Sequence, residues 1–310
     1  MFTNYAKLIL GLLSLYLGAE SLVRGGVGLS VIARIKPIII GLTVVALGTS
    51  LPELTVSIMS VIRGASDISI GNIVGSNICN LLLILGISAA IKPIPIEKRN
   101  FKEDIPSVIV AAAILWILAS DGRFSRLDGI ILLLVYAVFL LHTFSKNKTE
   151  PKEGVKAGAS RKLPGYLIML IVGFALLIFG GWATVDSGTR IATHFGIPQY
   201  IIALTLIALG TSLPELATCA VASFKGKSDI AIGNVLGSNV CNSLLIIGIA
   251  ALLQPFVIDA DILSFSFPIM LLASVAMLLF VKSGMSLSRI EGVSFILGYV
   301  FYIFSLTFSG

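Results

Sequence analysis

The chain has 310 residues, of which 56% are apolar and 12% charged, with a formal net charge of +6. Its mean hydropathy is +1.02. Water-soluble domains carry about 25% charged residues, so a soluble globular protein is excluded. The basic charge is no nucleic-acid patch either, because it is spread over the connections between apolar runs.

Runs of about 17–25 apolar residues have the length of a membrane-spanning helix. Ten occur, at about 5–24, 37–62, 69–91, 105–120, 128–145, 164–187, 199–224, 231–253, 263–282 and 289–308. The first carries a single Lys7, has no clear small-x-small cleavage site and precedes nine more, so it reads as a span and not a signal peptide. The runs near 105–120 and 128–145 are short. Between the fifth and sixth runs lies SKNKTEPKEGVKAGASRK (145–162), the one long polar stretch, rich in Lys and Gly and read as a flexible linker. Assigning the connections alternately to two sides places 17 of the 22 Lys and Arg on one side. Lys- and Arg-rich short loops stay cytoplasmic, which predicts both termini outside and the 145–162 connection inside. The expectation is an all-α, multi-pass protein of the cell membrane with ten transmembrane helices.

The stretch ALGTSLPEL occurs at Ala46–Leu54 and again at Ala208–Leu216. Sliding Ile38–Ile94 onto Tyr200–Phe256, at a constant offset of 162 without a gap, gives 32 identities in 57 positions. The expected organisation is a five-helix repeat over 1–145, a linker over 146–162 and a second five-helix repeat over 163–310, with motif-bearing segments 38–94 and 200–256. Five is odd, so the second half enters the membrane from the opposite side and the repeats are inverted. Inverted repeats with interrupted helices in matching positions mark secondary transporters, whose site lies near the midplane between the repeats.

Within each copy, proline removes an N–H and presses on the carbonyl four residues earlier. Pro52 acts on Gly48 and Pro214 on Gly210, so each helix should kink and free carbonyls around Ala46–Thr49 and Ala208–Thr211. Freed carbonyls are tolerated in lipid only inside protein or against a wet cavity. Thr49, Ser50, Glu53 and their copies Thr211, Ser212, Glu215 add hydroxyls and carboxylates, a set of hard oxygens. A carboxylate at the membrane centre costs about 2.5–3.5 kcal/mol, and no Lys or Arg lies in the cores of these two runs to offset it. Cations are the natural compensation: such oxygens suit Ca²⁺ and, rearranged, Na⁺. The absence of a His/Cys cluster disfavours zinc or copper. In the following runs Asn72, Ser76 and Asn80 share a helix face, as do Asn234, Ser238 and Asn242, and both sets offer neutral oxygens. Gly71/Gly75 and Gly233/Gly237 permit close helix approach.

Simpler readings apply elsewhere. Cys79, Cys219 and Cys241 read as packing residues and not a disulfide framework. Glu20 and Asp186 fall near expected helix ends, solvated or paired with Arg24 and Arg190. Trp116 and Trp182 read as interfacial anchors; His142 and His194 are assigned no role.

GTSLPE followed by GNIVGSN, in two copies on inverted halves, resembles the α-repeats of the sodium/calcium exchanger family within the cation/Ca²⁺ antiporter superfamily, prokaryotic type. The motif-bearing part spans about 114 residues. The resemblance implies four clustered ion positions between the second, third, seventh and eighth helices. It implies Glu53 and Glu215 as principal Ca²⁺ ligands, with Thr49 and Thr211 giving carbonyls and hydroxyls. Ser50, Ser212, Ser76, Ser238 and the carbonyls of Ala46 and Ala208 would complete Na⁺ positions. Asn80 and Asn242 would face a central, water-occupied position, and the first and sixth helices would slide as a gate. Relatives that also carry K⁺ tend to have Asp where this chain has Asn242, which favours K⁺-independent transport. Proton/Ca²⁺ exchangers share GTSLPE but follow GN with a motif ending in Glu, absent from GNIVGSN. The linker is too short for the large Ca²⁺-sensing domains of animal exchangers.

The function expected is Na⁺/Ca²⁺ antiport by alternating access, by a monomer in lipid, with protons as competitors for the carboxylates, no cofactor, no nucleic-acid partner and no enzymatic activity. The alternatives are H⁺- or K⁺-coupled Ca²⁺ antiport, then a cation channel.

Overall fold

The structure, a computed structural model, describes residues 1–145, 162–197 and 209–308. The predicted linker, except Lys162, and the first part of the seventh run, including the candidate ligand Ala208, lie outside the described residues. The described helices of ten or more residues are α1 (Phe2–Ala33), α2 (Pro37–Thr49), α3 (Leu51–Ile62), α4 (Ser66–Ile91), α5 (Asp104–Ala119), α6 (Arg126–Ser145), α7 (Leu163–His194), α8 (Leu213–Phe224), α9 (Ser228–Leu253), α10 (Ile262–Gly284) and α11 (Arg289–Phe308). Among the described residues seven helices are long and apolar enough to cross a membrane, and α2 with α3 make an eighth, bent by 46°. This is a multi-pass helical membrane fold.

α4 and α9 are the innermost helices, with 78% and 83% of their most apolar window buried, against 22–39% for α1, α6, α7, α10 and α11. Lipid is as apolar as leucine, so polar residues gather where helices cover them: the runs of Asn and Ser lie on the central pair. Each central helix carries a π-helical stretch, Cys79–Ile84 and Cys241–Ile246, at the same offset of 162 as the sequence repeat. Such stretches shift the helix face by a residue and are frequent at functional sites.

α1 and α7 differ from expectation. They run 32 residues each, about 48 Å, beyond the predicted 5–24 and 164–187. Glu20 and Asp186 therefore sit inside helices and not near their ends. The reason is mutual packing: at Gly11 an added Cβ would lie 2.7 Å from Thr184 Oγ1, and at Gly18 2.9 Å from the Gly173 carbonyl. The antiparallel pair touches along its length, and its acids are matched by cations. Glu20 Oε1 lies 2.5 Å from both Arg24 and Lys225, and Asp186 Oδ2 lies 2.6 Å from Lys7 and 3.1 Å from Arg190.

Two short antiparallel ladders tie the halves of the chain together. β1 (Ile94–Pro95) pairs with β4 (Ser286–Leu287), and β2 (Arg123–Phe124) pairs with β3 (Phe256–Val257). Each joins a first-half segment to a second-half one and caps the α4–α9 core.

Candidate functional site

In each GTSLPE copy a helix begins directly after the serine. Ser50 has φ −82° and ψ 8° and precedes α3; Ser212 has φ −88° and ψ 5° and precedes α8. Pro52 and Pro214 lie in the first turns that follow, so the carbonyls of Gly48 and Gly210 lose their helical donors. The expected kink is present in the first copy, where α2 and α3 are bent by 46°; the segment that would precede it in the second lies outside the described residues. The new helix starts put Glu53 and Glu215 in first turns, where the helix dipole favours negative charge.

The breaks bring the two glutamates into one polar cluster in the core, both fully buried. Ser50 Oγ donates to Glu215 Oε1 at 3.1 Å, and Ser212 Oγ donates to Glu53 Oε1 at 3.1 Å. Each copy's serine thus serves the other copy's carboxylate. Ser76 Oγ lies 3.4 Å from Glu53 Oε1 and 3.2 Å from Ser212 Oγ. Among the described residues neither glutamate has an ion-pair partner.

The threonines also reach across. Thr49 Oγ1 donates to Asn234 Oδ1 at 3.0 Å and Thr211 Oγ1 to Asn72 Oδ1 at 3.3 Å. The neutral oxygens of Asn72 and Asn234 are engaged here, each accepting from a threonine hydroxyl of the other repeat. Their amide nitrogens are held by Ser57 Oγ at 3.2 Å and Cys219 Sγ at 3.3 Å. Cys219 is therefore more than packing: it anchors the asparagine that orients Thr49.

What remains is a set of buried oxygens with lone pairs to spare. Among the described residues, Glu53 Oε2, Glu215 Oε2, Asn80 Oδ1 and both amide atoms of Asn242 have no hydrogen-bond partner. The carbonyl of Ala46 accepts the Ser50 amide at 3.0 Å. A buried, unmatched polar atom costs about 1–3 kcal/mol and a charged one more, so such a cluster is chemically suited to a hard cation.

Sequence reasoning missed Ser57, Asn77, Asn239 and Ser243. The signal was available for the asparagines, since Asn77 and Asn239 are the identical third letters of the two GSN motifs; Ser243 is marked by departing from its counterpart Leu81.

The surroundings are one-sided. A cavity of about 460 Å³ lies between α7 and the two breaks, lined by Pro52, Gly210, Thr211 and Pro214 and by Gly181, Trp182 and Asp186. The Lys7 ammonium stands 3.7 Å over the Trp182 ring beside it, whereas Trp116 packs partly buried against the core. Past Glu53 in the other direction, Phe174 of α7 covers Gly48, where an added Cβ would fall 1.9 Å from Phe174 Cε1.

A family model described as "Sodium/calcium exchanger protein" matches residues 3–145 and 165–308. The chain belongs to the sodium/calcium exchanger family. Members of this antiporter family with known names lie close: the chain is 33% identical over 308 residues to the putative antiporter CaxA of Alkalimonas amylolytica, covering 96% of this chain and 97% of that one. It is 30% identical over 340 residues to the sodium/calcium exchanger MaX1 of Methanosarcina acetivorans, covering 97% of each. Its fold matches a structure of the sodium-calcium exchanger NCX_Mj soaked with zero Na⁺ and Ca²⁺, with a TM-score of 0.86, 30% identity and 98% coverage of both chains.

Proposed function

We propose that the protein exchanges Na⁺ for Ca²⁺ by alternating access, using ten transmembrane helices arranged as two inverted five-helix repeats. In this reading α2 with α3 form the second span, and the seventh run, which ends in α8, the seventh. Both termini are extracellular and the 146–162 linker is cytoplasmic, as the Lys and Arg bias supports.

The observation that carries the proposal is the pair of fully buried glutamates, each hydrogen-bonded by the other repeat's serine and each keeping one oxygen without a partner among the described residues. Two carboxylates balance one Ca²⁺. Ca²⁺ takes 6–8 oxygens in flexible geometry, and Glu53, Glu215, Thr49 and Thr211 supply carboxylate and carbonyl donors. Na⁺ uses the same centre with Ser50, Ser212, Ser76, Ser238 and the carbonyls of Ala46 and Ala208, while Asn80 and Asn242 face its middle. Empty, the site holds two unmatched buried charges, each costing several kcal/mol. Crossing without an ion is therefore disfavoured, and exchange is coupled. The 460 Å³ cavity lies on the Asp186 side and Phe174 covers the other, which supports a conformation open to the extracellular side with α1 and α7 as the moving gate. All the donors come from one chain, so a monomer suffices.

The test is ⁴⁵Ca²⁺ uptake into proteoliposomes loaded with Na⁺ and diluted into Na⁺-free medium. Uptake only from Na⁺-loaded vesicles is expected. Uptake driven by acid loading would make the protein a proton antiporter, K⁺ loading would mark K⁺ coupling, and uptake from every vesicle would mean a channel.

A further inference from the structure

Behind the ion-binding centre a second layer of amides crosses between α4 and α9, and it is asymmetric where the sequence is not. Asn239 Nδ2 donates to the backbone carbonyl of Asn77 at 3.2 Å. A backbone carbonyl only accepts, so this bond fixes which edge of the Asn239 amide is nitrogen. Its Oδ1 must then face Asn80, and Asn80 Nδ2 donates to it at 3.0 Å. That in turn fixes Asn80: its nitrogen is held, and its Oδ1, buried and without a partner among the described residues, lies on the opposite edge of the amide. The orientation of Asn80 is thus dictated by a main-chain atom through one intervening side chain.

At the offset of 162 the equivalent relay would run from the Asn239 carbonyl through Asn77 to Asn242. It is not made. Asn77 Nδ2 donates instead to Ser243 Oγ at 2.8 Å and meets Met270 Sδ at 3.4 Å. Ser243 stands where the first repeat has Leu81, so a hydroxyl is present on one side only. Asn77 Oδ1 and both amide atoms of Asn242 are left buried without partners among the described residues.

We propose that Asn239 is a positioning residue for ion binding: it holds Asn80 with its oxygen presented to the centre, while Ser243 draws Asn77 off the matching task and leaves Asn242 free to turn. The centre then has one preset oxygen and one amide that can offer either oxygen or N–H. A cation is met by two oxygens, whereas in its absence Asn242 can turn its N–H toward a carboxylate. This division of labour rests on the antiport reading above. It names residues of α4 and α9 that contact no transported ion themselves.

The experiment compares Asn239→Leu, close in volume but unable to hydrogen-bond, in the wild-type and Asn80→Ala backgrounds of the full chain. Two readouts are taken: the rise in Tm of purified protein on titration with Na⁺ or Ca²⁺, and the half-saturating Ca²⁺ in vesicle uptake. Loss of the relay weakens apparent ion affinity by about three- to tenfold, the worth of one ordinary hydrogen bond. In the Asn80→Ala background the same substitution leaves affinity unchanged, because there is no amide left to orient; a merely structural role would lower it in both. Asn77→Leu, on the drawn-off side, costs clearly less than Asn239→Leu. The inference is overturned if Asn239→Leu binds like wild type, if its loss persists in the Asn80→Ala background, or if Asn77→Leu is equally damaging. A wild-type chain that shows neither an ion-induced Tm rise nor exchange would instead sink the antiport reading, and this inference with it.

Discussion

Gly48 offers the sharpest test of the proposed gate. An added Cβ there would fall 1.9 Å from Phe174 Cε1, whereas non-bonded carbons settle at about 3.5–4.0 Å. In Gly48→Ala the Phe174 ring must therefore move away by about 1.6–2 Å and give up its seat over residue 48. Overpacking of this kind costs about 1–3 kcal/mol. The cost falls only on the conformation in which Phe174 covers Gly48. The gain of about 1 kcal/mol from replacing glycine in a helix applies to every conformation and cancels. The covered state should lose population by about 5- to 150-fold, and a transporter that cannot seat its gate on one side turns over slowly. The assay is the initial rate of Na⁺-driven ⁴⁵Ca²⁺ uptake in Gly48→Ala, in Phe174→Ala and in the double variant. A fall of at least about fivefold in Gly48→Ala is expected, with partial recovery in the double variant because the colliding ring is gone. Wild-type activity in Gly48→Ala, or a double variant no faster than the single one, would refute the gate contact.

Other predictions follow from the site. Glu53→Gln and Glu215→Gln each remove one of the two buried charges and should abolish Ca²⁺ uptake and the Ca²⁺-induced rise in Tm while the protein still folds; retained uptake in either would remove that residue from the ligand set. Ser50→Ala and Ser212→Ala each delete a hydroxyl bonded to the other repeat's carboxylate, a bond worth about 1.5–3 kcal/mol, so apparent ion affinity should fall about 10- to 150-fold and by similar factors for the two variants. Cations need both carboxylates ionised, so affinity should fall as pH is lowered towards the carboxylate range, and raising Ca²⁺ should restore uptake. Inhibition that added Ca²⁺ does not relieve would place the titrating group elsewhere. Glu20→Gln breaks the pairing of α1 with Lys225 just beyond α8, a tie between the gate and the core. It should alter turnover while leaving the ion-induced Tm rise intact, and a change in ion affinity would contradict its assignment to the gate.

Much of this protein was determined by the sequence alone. Hydropathy required a membrane, since a chain so poor in charge cannot be solvated by water, and the repeated GTSLPE required broken helices, since proline cannot complete the hydrogen bond back to Gly48 or Gly210. Glu53 and Glu215 stood out because a carboxylate amid apolar residues needs compensation. These are local effects of covalent geometry and solvation, legible wherever they occur. Tertiary structure decided what depends on distance across the chain. That Ser50 serves Glu215 and Ser212 serves Glu53, and not the glutamate of its own segment, follows from the crossing of the two breaks. That the oxygens of Asn72 and Asn234 hold Thr211 and Thr49 follows from their facing the opposite repeat. Glu20 and Asp186 moved from helix ends into the helix bodies because α1 and α7 support each other beyond their apolar stretch. The asymmetry of Asn80 and Asn242 arises from one hydroxyl, that of Ser243, whose effect shows only once Asn77 is packed beside it. Side-chain hydrogen bonds between segments 162 residues apart leave no periodicity in either segment, and only the folded chain reveals them.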